Sequence, residues 1–121
     1  MAKLEFSLER KEIEVDLTDP SNGVTTTYMM RELTGKGRDS YLTNISGRLD
    51  TKGGANSVKN FDGLQAALLS RVLFEDVDGK YKQVTEATIQ AWPARIQSAL
   101  FDEARDMNGL AEGADEEAGN G

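Results

Sequence analysis

Between Leu4 and Leu17 the chain twice sets large apolar residues at alternate positions. The first set is Leu4, Phe6 and Leu8, the second Ile13, Val15 and Leu17, with charged or polar residues between them. A period of two turns one face of an extended chain toward a core and the other toward water, whereas a helix would scatter the same residues around its circumference. "DPSNG", Asp19 to Gly23, follows as a cluster of turn formers, with Pro20 presetting its own backbone angle. "VTTTYMM" is then β-branched and aromatic, which suits a returning strand. These segments predict a β-hairpin or small antiparallel sheet over residues 3–31.

Beyond "TGKGRD" the period changes. Tyr41, Leu42, Ile45 and Leu49 recur at helical spacing and predict a helix over 37–49, weakened by Gly47. "TKGGANSVKN" reads as a polar linker over 51–60. Leu64, Leu68 and Val72, flanked by Leu69 and Leu73, form a broad apolar stripe and predict a helix over 61–75. A short helix over 85–92 has Thr85 as its N-cap, and a last helix over 93–108 takes Pro93 in its first turn. Ile96, Leu100, Ala104 and Met107 share one face of that helix. Gly109 is placed to close it in the left-handed conformation, with Leu110 folding back. Residues 111–121 hold four acids, no bases and no large apolar residue, so they are expected to be a disordered acidic tail. The expected fold class is α+β, with an N-terminal hairpin and about four helices in one domain over 1–110.

A length of 121 residues suits a single domain. The net charge of −7 sets up a field that repels phosphate backbones, and no basic run with interleaved aromatics offsets it, so no nucleic-acid partner is expected. With no Cys and no His, the chain has no thiolate or imidazole chemistry and no Cys/His zinc site. No stretch nears the roughly 20 apolar residues of a membrane span, and the N-terminus does not read as a signal peptide. A protein of the cytoplasm is expected, with no membrane partner.

The stretch "LFEDVDGKYKQVTEA" has the outline of a calcium loop. Such a loop needs oxygen ligands at positions 1, 3 and 5, Gly at 6 and Glu at 12. Setting Gly79 at position 6 puts Phe74 at 1 and Thr85 at 12, and starting at Asp76 puts Lys80 at 5, Tyr81 at 6 and Ala87 at 12. Neither frame works, and "EDVDG" is expected to be a joint between helices whose acids serve the turn. The acid pairs Glu9 with Glu12, Asp76 with Asp78 and Glu103 with Asp106 are each expected on a solvated face, not in catalysis. "GGANS" and "GKGRDS" lack the spaced Gly-Lys-Ser/Thr of a phosphate loop, so no metal, cofactor or enzymatic activity is expected. "NIS", Asn44 to Ser46, fits the glycosylation sequon, which carries no meaning without secretion. Trp92, the single Trp, is expected to pack in the joint between the last two helices, the other reading being an interface anchor.

"YMMRELTGKGRDSYL", "LLSRVLFEDVDGK" and "IQAWPARIQSALFDEARDMNGL", taken in this order, resemble the tail assembly chaperones of long-tailed bacteriophages. The likeness covers roughly residues 28–110. It includes the joint Arg31 to Gly35, the acidic turn Asp76 to Gly79 and the close of the last helix at Asn108, Gly109 and Leu110, with Met107 where the family usually has Leu. The resemblance implies a non-enzymatic protein that binds and solubilises the tape-measure protein and helps recruit tail-tube subunits. It implies work in the host cytoplasm, absence from the mature virion, and at most weak homo-oligomers before the client arrives. The alternative is a structural virion component, such as a head–tail connector or minor tail protein. The expected partner surface is the helical layer at Leu64, Leu68, Val72, Trp92, Leu100 and Phe101, residues that serve equally well as core.

Overall fold

The computed structural model describes residues 2–50, 57–58 and 63–110, with side chains for 2–48 and 63–110. The expected tail over 111–121 lies outside these residues. β1 (Glu12–Asp19) and β2 (Val24–Arg31) pair antiparallel in unbroken register, from Glu12 opposite Arg31 to Asp19 opposite Val24. Asp19 closes their turn: its carbonyl accepts from Gly23 N–H at 2.8 Å and its carboxylate accepts from the Ser21 hydroxyl at 2.7 Å. Alternation decides the faces. Ile13, Val15, Tyr28 and Met30 pack on the core, while Glu14 and Asp16 are exposed on the opposite face, where the Thr27 hydroxyl donates to Asp16 at 2.6 Å.

The strand does not begin at residue 3. Leu4, Phe6 and Leu8 precede β1 and are 82%, 85% and 99% exposed. The reason lies in β2, which has eight residues and can match no more than eight. One further backbone bond, Glu32 N–H to the Lys11 carbonyl at 2.8 Å, ends the ladder before the chain turns into the next helix. Residues 2–9 therefore form an arm with a strand's sequence and no strand beside it.

α1 (Gly35–Ser46) starts two residues before the expected 37, because the Thr34 hydroxyl caps it by accepting from Gly37 N–H at 3.1 Å. Leu49, expected at the end of that helix, lies in β3 (Leu49–Asp50), which pairs with β4 (Ser57–Val58) inside the expected linker. The rest of 51–60 lies outside the described residues.

α2 (Leu64–Val72) is shorter than the expected 61–75 at both ends. Leu73 turns extended and starts β5 (Leu73–Val77), which pairs with β2 through Met30 opposite Leu73. β6 (Lys80–Gln83) then pairs with β5. "EDVDG" therefore joins two strands rather than two helices. Asp78 and Gly79 are the two central residues of a hairpin turn, both with positive φ (54° and 81°), the pair that matches the twist of the flanking strands. The Asp76 carboxylate accepts from Gly79 N–H at 2.9 Å and serves the turn.

α3 (Glu86–Gln90) and α4 (Ala94–Met107) are the last helices among the described residues. Thr85 caps α3 by accepting from Thr88 N–H at 3.2 Å. At the end of α4, Gly109 has φ +67° and Leu110 N–H donates to the Arg105 carbonyl at 2.7 Å, so Leu110 folds back and is buried. Asn108 ties this end to the start of the helical layer, accepting from Leu33 N–H at 2.8 Å.

The result is an α+β fold: one antiparallel sheet ordered β1-β2-β5-β6 with helices packed on its apolar face, and a separate two-stranded pair, β3–β4. α2 is the hub, touching β2, β6 and the three other helices. Its own Leu68, Leu69 and Val72 are fully buried, as are Met30 of β2, Leu73 of β5 and Ile89 of α3.

Candidate functional site

Core packing on α2 is concentrated at the Met30–Leu73 end of the sheet, so the helices leave the other end of the apolar face partly uncovered. Leu17 and Tyr28 line this uncovered end, beside Val24 at the hairpin tip. Across from them stand Trp92, Pro93 and Ile96 from the α3–α4 joint. Between the two layers runs an open groove of about 520 Å³. Val24 is 55% exposed and Leu17, Tyr28, Trp92 and Ile96 are half-buried, so the groove presents apolar surface to any occupant. The Trp92 ring meets Tyr28 edge-on at 5.4 Å between centroids, which braces the joint against the sheet.

Burial pushes the Tyr28 phenol above its usual value, with the Glu75 carboxylate adding to the effect. Asp19, at the tip, is held below the usual carboxylate range by hydrogen bonds from the Ser21 hydroxyl and amide. Both groups therefore keep their ordinary neutral-pH forms. The one base in the lining, Arg95, is exposed at the start of α4. A second hollow, of about 500 Å³, is lined by Arg10, Lys36 and Arg71 at the N-terminal end of α1. Two of these cations are engaged, Arg71 with the Ser40 hydroxyl at 3.1 Å and Arg10 with the Glu32 carbonyl at 2.7 Å.

The residues expected to meet a partner do not form one surface. Leu68 and Val72 are 0% exposed and belong to the core, because α2 lies between the sheet and the other helices. Leu64, Leu100 and Phe101 are half-buried on α2 and α4, and the Phe101 ring lies under the Arg105 guanidinium at 5.4 Å. Of the six, Trp92 alone lines the groove. The expected acid pairs, Glu9 with Glu12, Asp76 with Asp78 and Glu103 with Asp106, are all exposed. Among the described residues no group of three or more Asp, Glu, His or Cys is placed to hold a metal ion, and no helix is long and apolar enough to cross a membrane.

No family model, curated protein or solved structure matches this chain. Its site must be read from its own geometry. Leu17, Val24, Tyr28 and Ile96 belong to that site alongside Trp92, although the strand alternation and the helical spacing place Leu17 and Ile96 on covered faces. The available signal was the length of the hairpin: strands of eight residues run roughly 27 Å, longer than the short helix α3 and its joint can cover.

Proposed function

We propose that this chain is a non-enzymatic tail assembly chaperone, binding and solubilising the tape-measure protein of a bacteriophage and helping to recruit tail-tube subunits around it. The observation that carries the reading is the apolar groove between the hairpin tip and the α3–α4 joint. A long helical client in water needs its apolar stripe covered, and an amphipathic helix laid in an apolar groove achieves that without chemistry. The net charge of −7 would keep the resulting complex dispersed. The residues proposed to meet the client are Leu17, Val24, Tyr28, Trp92 and Ile96. Such a protein works in the host cytoplasm and leaves before the particle is complete.

A second reading, a structural virion component such as a head–tail connector or minor tail protein, draws on a different observation. The exposed arm with Leu4, Phe6 and Leu8 is a device that suits contacts between subunits.

Co-expression with the tape-measure protein tests the first reading, scored by the fraction of that protein left in solution. The native chain should raise that fraction, and Val24→Asp with Ile96→Asp should abolish the gain while the variant itself stays folded by circular dichroism. A tape-measure protein that is soluble without this chain, or insoluble with it, would sink the chaperone reading.

A further inference from the structure

The hollow at the N-terminal end of α1 concentrates positive charge on a chain whose net charge is −7. Arg10, Lys36 and Arg71 line it, and no acid does. Arg10 and Arg71 are half-buried, and the oxygens they bond are uncharged. Arg10 donates to the Glu32 carbonyl at 2.7 Å, and Arg71 to the Ser40 hydroxyl and the Ala67 carbonyl. Among the described residues no carboxylate forms an ion pair with any of the three, whereas Lys3, Arg31 and Arg38 each have one. Burial and the nearby Arg31 guanidinium lower the Arg10 pKa from its usual value, against a smaller pull from Glu12 and Glu32. The positive end of the α1 dipole faces the same place. The Thr34 hydroxyl takes up the Gly37 amide there, and no acid stands in the first turn.

The sequence holds the missing counter-charge close by. Residues 111–121 include Glu112, Asp115, Glu116 and Glu117 and no base. They follow Leu110, which is fixed by its N–H to the Arg105 carbonyl at 2.7 Å. Two residues before it, the Asn108 side chain accepts from Leu33 N–H at 2.8 Å, and Leu33 lines the hollow. Asp115 is five residues past Leu110, a reach of up to about 17 Å of extended chain.

We infer that the acidic run 115–117 docks in this hollow of its own chain, setting the carboxylates of Asp115, Glu116 and Glu117 against Arg10, Lys36 and Arg71. The two guanidiniums offer forked donors that match a carboxylate, and Lys36 adds a point charge. Ion pairs this exposed are weak one at a time. Tethering makes up the difference. A short linker holds its far end at an effective concentration on the order of millimolar, so a site of millimolar affinity is half filled without a second molecule. The hollow shares no lining residue with the apolar groove, so this contact stands apart from the proposed client site.

The test uses the full chain with Ala118→Cys carrying a nitroxide spin label, the only thiol in a protein with no native cysteine. In amide correlation spectra Gly37 and Ser40 should lose most of their intensity, while Val24 and Ile96 at the groove keep theirs. Raising ionic strength from about 0.05 M to about 0.5 M should restore the lost signals, because salt screens exposed pairs. Arg10→Gln with Lys36→Glu should restore them too. The second change puts an acid in the first turn of α1, which favours that helix, so lost docking is not lost folding. Asp115→Asn with Glu116→Gln and Glu117→Gln should act alike from the other side of the contact.

Full intensity at Gly37 and Ser40 in the labelled chain would overturn the docking, as would broadening centred on Val24 and Ile96. Broadening that survives both sets of charge changes would overturn the role of the cations. Equal broadening in a mixture, with the label only on copies silent in the spectrum, would show the run binding a second copy rather than its own chain.

Discussion

Single residues set both the stability of this fold and its pH limits. Leu68 is fully buried where α2 meets the rest of the core, so Leu68→Ala should cost about 2–5 kcal/mol, read as a lower urea midpoint with unchanged slope. Gly79 has φ +81° in open surroundings, so the cost of Gly79→Ala is conformational, about 1–2 kcal/mol. Tyr28 sets an alkaline limit. Its phenol is raised by burial and by Glu75, so the folded chain holds that proton more tightly than the unfolded chain does. The resulting stability is complete below the ordinary phenol value of about 10 and is lost as pH climbs through the raised one. Tyr28→Phe should flatten this loss, seen by comparing urea midpoints of variant and native chain at about pH 9 and about pH 11.

At the scale of elements, capping is local and its effects should add. Thr34 caps α1 and Thr85 caps α3, each by a hydroxyl accepting from the amide three residues on. Thr34→Ala and Thr85→Ala should each cost about 1 kcal/mol, and the double variant their sum, since the two caps share no partner. A coupling energy in the double variant would show the helices to be less independent than their caps. These signals were legible in the sequence at Thr85 and Gly109, because caps depend on nearest neighbours. Pro93, expected in the first turn of α4, instead stands one residue before it with an extended ψ of 141°. The β5–β6 hairpin was not legible, although Asp78–Gly79 is a strong hairpin signal. Leu73 and Phe74 continue the apolar run of α2 without a break, and only the free edge of β2 draws them into a strand. The arm shows the converse. Leu4, Phe6 and Leu8 have the same pattern as Ile13, Val15 and Leu17, and what separates them is the length of β2, a property of a different segment.

For the whole molecule, the sheet and the helical layer meet fully at one end only. Amide exchange should be slowest at Met30, Leu69 and Leu73, where both layers close, and fast at Val24 and Val77 near the open end. Uniform protection along β2 would contradict this picture of a sheet covered at one end. The candidate site was the least legible part of the sequence, because a groove is a shortfall between layers rather than a pattern in either. Leu17 and Ile96 obey the period of covered residues and still line the opening. One consequence concerns observation itself. Trp92 is the single tryptophan of the chain, and it stands in the wall of the groove with its ring against Tyr28. Whatever settles there alters the polarity around the one indole, so the protein carries its own optical gauge of occupancy, readable from emission colour without a label.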